Sequence, residues 1–311
     1  MRDQIGLPGP SRTAAPARYV MVGGIRTRYF DQGSGPVILL IHGGGYDYRL
    51  GVACDDWEGL FDELAAHYRV IAVDKLGAGG TDSPAADADF TQHARTNHLV
   101  EFIRELGLRG VVLVGHSRGA LEAAQIALEL PGFVTAVVLL DSSSLPPSGD
   151  QPATVPASGP VVPSADWVRL RLGACFANPE AEPARAYLLR KQRWCGPGPH
   201  HHEQRPWLSA ELARAHELDG KVFLPDMNST RTMVLRRIEK QGFRQPVLII
   251  WGMKDFSAPF RLGLKLLSLV EVASRHVEFH ALSCGRHLIH LEFSSLVGGV
   301  IHEFLTREAD R

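Results

Sequence analysis

Ser117 stands where a nucleophile would be built. Four apolar β-formers, Val111-Val-Leu-Val114, run into Gly115-His116-Ser117-Arg118-Gly119, and Ala120 to Leu130 then reads as helix. A serine on so sharp a strand-to-helix turn is held in strained backbone geometry, with its hydroxyl lifted clear of both elements. Glycines two residues to either side let neighbouring backbone pass close. A nucleophilic serine also needs oxyanion donors, a base, and a group to orient the base. The strand Pro36-Val-Ile-Leu-Leu-Ile41 ends in His42-Gly43-Gly44-Gly45, where consecutive glycines can turn amides toward one point. The N–H groups of Gly44 and Arg118 are the expected oxyanion pair, with Gly43 and His116 beside them as substrate contacts and His42 shaping the loop. The acid is expected after a later strand. Pro246-Val-Leu-Ile-Ile-Trp251 runs into Gly252-Met-Lys-Asp255, which makes Asp255 the preferred carboxylate; Asp141, after Val137–Leu140, is its rival. The base is expected last, at His287, on the loop between the strand 277–282 and a long helix reaching about Leu305. His290 is its rival, three residues further in, where helical geometry turns it elsewhere; His280, within the strand, reads as a packed or surface residue.

The elements that must position these groups alternate between strand and helix. A hairpin over about 19–31 turns at Gly23-Gly24, and strands follow at 36–41, 69–74 and 111–114, with helices around 57–67 and 91–107. Such alternation implies a mostly parallel sheet covered on both faces. The pattern breaks at Ser142 to Pro163, rich in Ser and Pro, and sheet-type alternation resumes only at Pro246. Between them the chain is helical in character, with candidate segments 166–176, 180–193, 209–217 and 229–241. The expected organisation is a loose arm over 1–17, a core formed by 18–141 and 246–311, and a helical cap over 142–245. The cap carries Trp167, Phe176, Trp194, Trp207, Phe223 and Met227. This favours a hydrophobic, even aromatic, small-molecule substrate, with Trp194 as a contact.

In this setting the chain resembles the α/β-hydrolase fold family. The segment Val70-Ile-Ala-Val-Asp74-Lys-Leu-Gly77-Ala-Gly79-Gly-Thr81-Asp82-Ser-Pro84 is similar to the family's D-x-x-G-x-G-x-[ST]-D-x-P stretch, and the order Ser, Asp, His is the family's order. The resemblance implies a mostly parallel eight-stranded sheet flanked by helices, with an inserted helical cap. It implies a Ser117–His287–Asp255 triad acting on an ester, a lactone or a carbon–carbon bond next to a carbonyl, with no metal or organic cofactor. It points to the branch of meta-cleavage-product hydrolases, small esterases, lactonases and cofactor-free perhydrolases. Three positions depart from the ring-cleavage pattern: His116 and Arg118 replace Asn and Met, Arg286 adds a residue between Gly285 and His287, and Leu288 stands where Trp is usual. Perhydrolase or haloperoxidase chemistry, and a receptor-like binder with slow hydrolysis, remain alternatives. Epoxide hydrolases and dehalogenases are disfavoured, because those relatives need a carboxylate at the position of Ser117.

Composition fits an ordinary globular enzyme. The 311 residues are 45% hydrophobic and 22% charged, with a net charge of −1, so nothing advertises nucleic acid or an anionic membrane. No apolar run is long enough to span a bilayer, and the first residues lack a signal-peptide core. Cys54, Cys175, Cys195 and Cys284 show neither a C-x-x-C pair nor metal spacing. A reducing, cytoplasmic setting is therefore expected. Cys284 is near enough to the base to line the site. His200-His201-His202 reads as solvated surface rather than a metal site, and a homodimer stays open.

Overall fold

The computed structural model describes residues 15–45, 54–147, 173–187 and 213–311. Trp167, Trp194, Cys195, the three consecutive histidines and Trp207 lie outside them, as do residues 1–14 of the arm expected over 1–17.

Eight strands form one sheet: β1 (Arg18–Val22), β2 (Ile25–Gln32), β3 (Val37–Ile41), β4 (Arg69–Val73), β5 (Val111–His116), β6 (Val134–Leu140), β7 (Val247–Gly252) and β8 (Val277–Leu282). Their spatial order is β1-β2-β4-β3-β5-β6-β7-β8. The two pairings made by β2 are antiparallel, and all the others are parallel. The central strands are apolar along their whole length because both faces are covered. Successive residues alternate between two cores. Leu39, Ile41, Leu113, Leu139 and Ile249 face one; Ile38, Leu40, Val114, Leu140 and Ile250 face the other.

Helices seal each face. The first core is closed by α2 (Gln92–Glu105), α3 (Arg118–Glu129), α4 (Leu224–Gln241) and α5 (Phe260–Ala273). The second is closed by α1 (Leu60–Ala65) and α7 (Ser294–Ala309), with the short α6 (Ile289–Glu292) just before α7. Thr91 caps α2, its hydroxyl accepting from the Ala94 amide at 2.9 Å. Among the described residues, no helix is long and apolar enough to cross a membrane.

Three expectations change here. The stretch read as segments 209–217 and 229–241 is helical without a break from 213 to 241, through a π turn at Asp219–Phe223. Pro225 directly follows the π turn, where the regular i→i+4 ladder is already interrupted. The last part of the expected cap, α4, is a core helix: Val234 and Ile238 join the same cluster as the sheet, so the core takes in residues before 246. The expected long helix after His287 divides into α6 and α7 at Phe293.

Candidate active site

The C-terminal ends of β3, β5, β6 and β7 converge on Ser117. Its backbone lies at φ 54°, ψ −121°, a strained conformation for a residue with a Cβ. Surrounding hydrogen bonds maintain it. The Ser117 amide donates to Leu140 O at 2.9 Å, and its carbonyl accepts from Ser142 Oγ at 2.8 Å. The flanking glycines are steric necessities. A Cβ on Gly115 would come within 2.5 Å of Gly119 O, and one on Gly119 within 2.2 Å of Ile41 O. A Cβ on Gly43 would sit 2.9 Å from the Ser117 Cβ, so this glycine lets the loop after β3 lie against the serine.

Asp255, His287 and Ser117 form a continuous hydrogen-bonded chain. His287 Nδ1 is 2.7 Å from Asp255 Oδ2, and His287 Nε2 is 3.1 Å from Ser117 Oγ. The buried carboxylate fixes the tautomer: Nδ1–H donates to it, leaving the Nε2 lone pair for the serine hydroxyl. Asp255 is itself oriented, its Oδ1 accepting the Ser257 and Ala258 amides at 2.6 and 2.8 Å. The base loop crosses the end of β7 so closely that a Cβ on Gly252 would meet Arg286 O at 2.5 Å. The extra residue, Arg286, turns out of this crossing and lays its guanidinium over Phe256.

The rivals sit elsewhere. Asp141 is fully buried, with φ 42°, and its Oδ1 accepts the Gly252 amide at 2.8 Å. Burial, then the Asp255 charge, hold its carboxyl well above the usual carboxylate range, so it is a neutral acid that supports the end of β7. His290 is buried, its ring packed 4.7 Å from Trp57 and 4.3 Å from His116. His116 is enclosed by His287, His290 and Trp57, and its Nε2–H donates to the His287 carbonyl at 2.8 Å. It therefore braces the base loop from behind, which replaces the substrate contact expected of it. Burial, reinforced by the neighbouring imidazoles, pushes its pKa well below 6.5 and keeps it neutral. The Arg118 side chain turns toward Asp219 and Phe223 in the π turn. Cys284 is exposed, and Cys54, Cys175 and Cys284 are free thiols.

The loop after β3 is held from beneath by His42, as expected of it, and by groups not expected from the sequence. His42 Nδ1–H donates to Gly43 O at 2.8 Å, and its Nε2 accepts the Lys75 amide at 3.1 Å. Lys75 Nζ donates to Gly44 O at 3.2 Å and to Glu122 Oε2 at 2.9 Å, and Arg95 adds a second bond to Gly44 O at 3.1 Å. The signal was present in the sequence: a glutamate on a helix otherwise sealed by Ala, Leu and Ile demands a partner. Asp74, next to Lys75, holds Arg28 and the amides of Cys54 and Gly80. The glycine-rich segment after β4 is thus knotted around one buried carboxylate.

Residues 36–164 match the family described as "alpha/beta hydrolase fold". A serine hydrolase involved in carbazole degradation superposes with a TM-score of 0.70 at 22% identity, over 94% of this chain and 99% of that one. The chain has the α/β-hydrolase fold. Over 137 residues, 43% of its length, it is 39% identical to 45% of the 2-hydroxy-6-oxo-6-(2'-aminophenyl)hexa-2,4-dienoic acid hydrolase of Metapseudomonas resinovorans. It is 33% identical over 136 residues, 44% of its length, to 47% of the 2-hydroxymuconate semialdehyde hydrolase of Pseudomonas sp. (strain CF600). The matched region thus spans under half the length of these relatives. For an α/β-hydrolase-fold chain, the sheet order and the loop positions of Ser117, Asp255 and His287 follow one plan: each group emerges where a strand ends.

Proposed function

We propose that the protein is a serine hydrolase that attacks a carbonyl carbon of a hydrophobic small molecule. The observation that carries this reading is the unbroken Asp255–His287–Ser117 hydrogen-bond chain ending on a strained serine. In the proposed cycle, His287 Nε2 takes the Ser117 proton as Oγ bonds to the carbonyl carbon. The oxyanion is received by the N–H groups of Gly44 and Arg118, while Asp255 stabilises the imidazolium. As the tetrahedral centre collapses, the bond to the leaving group breaks and His287 returns the proton to it. Water, deprotonated by His287, then cleaves the acyl-enzyme and restores Ser117. The leaving group is an alcohol from an ester or lactone, or an enol carbon from a vinylogous diketone. Names of relatives that cleave dienoic acids support including the second class. The chemistry needs no metal or cofactor.

A serine-directed fluorophosphonate tests the core of the reading. It should add one label, and Ser117→Ala should abolish both labelling and turnover; labelling that survives the substitution refutes the assignment. Graded p-nitrophenyl esters assayed beside a ring-cleavage dienoate then separate the two leaving-group classes. A peroxide-dependent halogenation assay separates either from perhydrolysis.

A further inference from the structure

The proposed cycle leaves Lys75 unused, yet this residue holds the oxyanion loop at two points. It follows Asp74 beyond the end of β4, and its side chain is completely buried, as is that of Glu122. Both ends of the residue grip the loop. The backbone N–H donates to His42 Nε2, and the ammonium donates to Gly44 O. The remaining tie runs to Glu122, in the second turn of α3, the helix whose first residue is Arg118. One buried cation therefore links the segment carrying the Gly44 amide to the segment carrying the Arg118 amide.

Gly44 is where such a link matters. Its φ is 73°, and a glycine can leave that conformation at little cost. The peptide planes on either side of it are both pinned. The carbonyl of Gly43 is held by His42 Nδ1–H, so the trans amide of Gly44 must point the opposite way. The carbonyl of Gly44 is held by Lys75 and Arg95. Burying an ion pair rarely adds stability over well-packed apolar side chains, so the pair invites a geometric explanation. We propose that Lys75 is a positioning residue that fastens Gly44 to helix α3 and so fixes the separation of the two oxyanion N–H groups. This rests on the function proposed above.

The strut depends on charge, and its charge is vulnerable. Burial pushes the Lys75 ammonium down to about 8; Glu122 on α3 opposes that shift, while Arg95 on α2 and Arg118 on α3 reinforce it. His42, the other titratable side chain facing it, already accepts the Lys75 amide through Nε2. Loss of the proton ends the ion pair with Glu122 and weakens the hold on Gly44. Reactivity at Ser117 should then decline on the alkaline side, around pH 8.

The test is the rate of fluorophosphonate labelling at Ser117 from pH 6 to 10. Lys75→Met alone would strand the Glu122 carboxylate, so the informative variant is the doubly neutral K75M/E122Q, with its fold checked by circular dichroism. It should label about ten- to a hundredfold more slowly, a fraction of the loss from deleting an oxyanion donor, and should lack the alkaline decline. Glu122→Gln, which keeps the lysine and removes the group that holds its proton, should move the decline to lower pH. A folded double variant with the wild-type rate and profile overturns the proposal, as does a decline unmoved in E122Q. Wild-type protein that fails to label at Ser117 overturns this proposal and the hydrolase reading together; normal wild-type labelling with unaltered variants overturns this one alone.

Discussion

Two carboxylates follow adjacent strands, and their environments push them into different roles. Asp255 receives an imidazole N–H and two amides, which fix its carboxylate against His287. Asp141 receives one amide at Oδ1 and is buried beside the Asp255 charge, so it keeps its proton. Asp255→Asn should lower turnover by about 10⁴, the cost of losing a triad acid. Asp141→Asn should behave very differently. An asparagine amide oxygen still accepts the Gly252 N–H, and asparagine tolerates the φ of 42°. Because the folded pKa lies above the usual 3.8, the unfolded chain releases this proton first, and the group's contribution to stability falls as pH rises above about 4. Asparagine escapes that loss. The variant should match or exceed the wild-type melting temperature at pH 7, with the advantage vanishing towards pH 4, and should keep most activity. A large loss of activity in Asp141→Asn with little in Asp255→Asn would move the acid to the end of β6.

At the scale of elements, the loop carrying His287 is held by what packs behind it. The carboxylate of Glu292, on α6, accepts the amides of Ala177 and Asn178 at 2.8 and 2.9 Å, and Leu288 N–H donates to Cys175 O. Leu288 and Leu291 pack with Phe176 and Ala184, so residues 173–187 dock directly on the helix that follows His287. Glu292→Ala should release this seam. Bonds to a charged acceptor are worth about 1.5–3 kcal/mol each, so amide exchange at 177 and 178 should accelerate at least tenfold. Unchanged exchange there would mean that the apolar contacts alone hold the segment. The elbow and the strands around it were legible in the sequence because their signals are local: an apolar run, then glycines at fixed offsets from Ser117. What escaped was set by tertiary context. The stretch between 217 and 229 falls outside the helical segments read from the sequence, yet the π turn carries the helix through it. His116 read as a substrate contact, but three rings from two distant segments, Trp57 and the pair His287 and His290, close around it. Glu122 on an apolar helix calls for a partner, but nothing local reveals that the partner is Lys75.

For the whole molecule, the order of strands in space has a consequence in time. From β5 onward each new strand adds to the edge left by the one before: β6 on β5, β7 on β6, β8 on β7. Synthesis from the N-terminus can therefore build this half of the sheet without displacing anything already made. The exception is the pause at β6. Its apolar run Val137-Val-Leu-Leu140, already paired to β5 on one side, finds its second partner only at Val247–Ile250. At ribosomal speeds of roughly 5–20 residues per second, about a hundred intervening residues leave that edge unpaired for some 5–20 seconds. A bare apolar strand edge is a template for pairing with another chain. Nascent chains halted just before Pro246 should consequently aggregate or recruit chaperones far more than chains halted after β8, as pelleting of stalled ribosome complexes would reveal. Equal solubility of the two would mean that the nascent insertion already shields the edge. With that edge bare, the hazard of making this protein lies less in its finished surface than in the seconds between its sixth strand and its seventh.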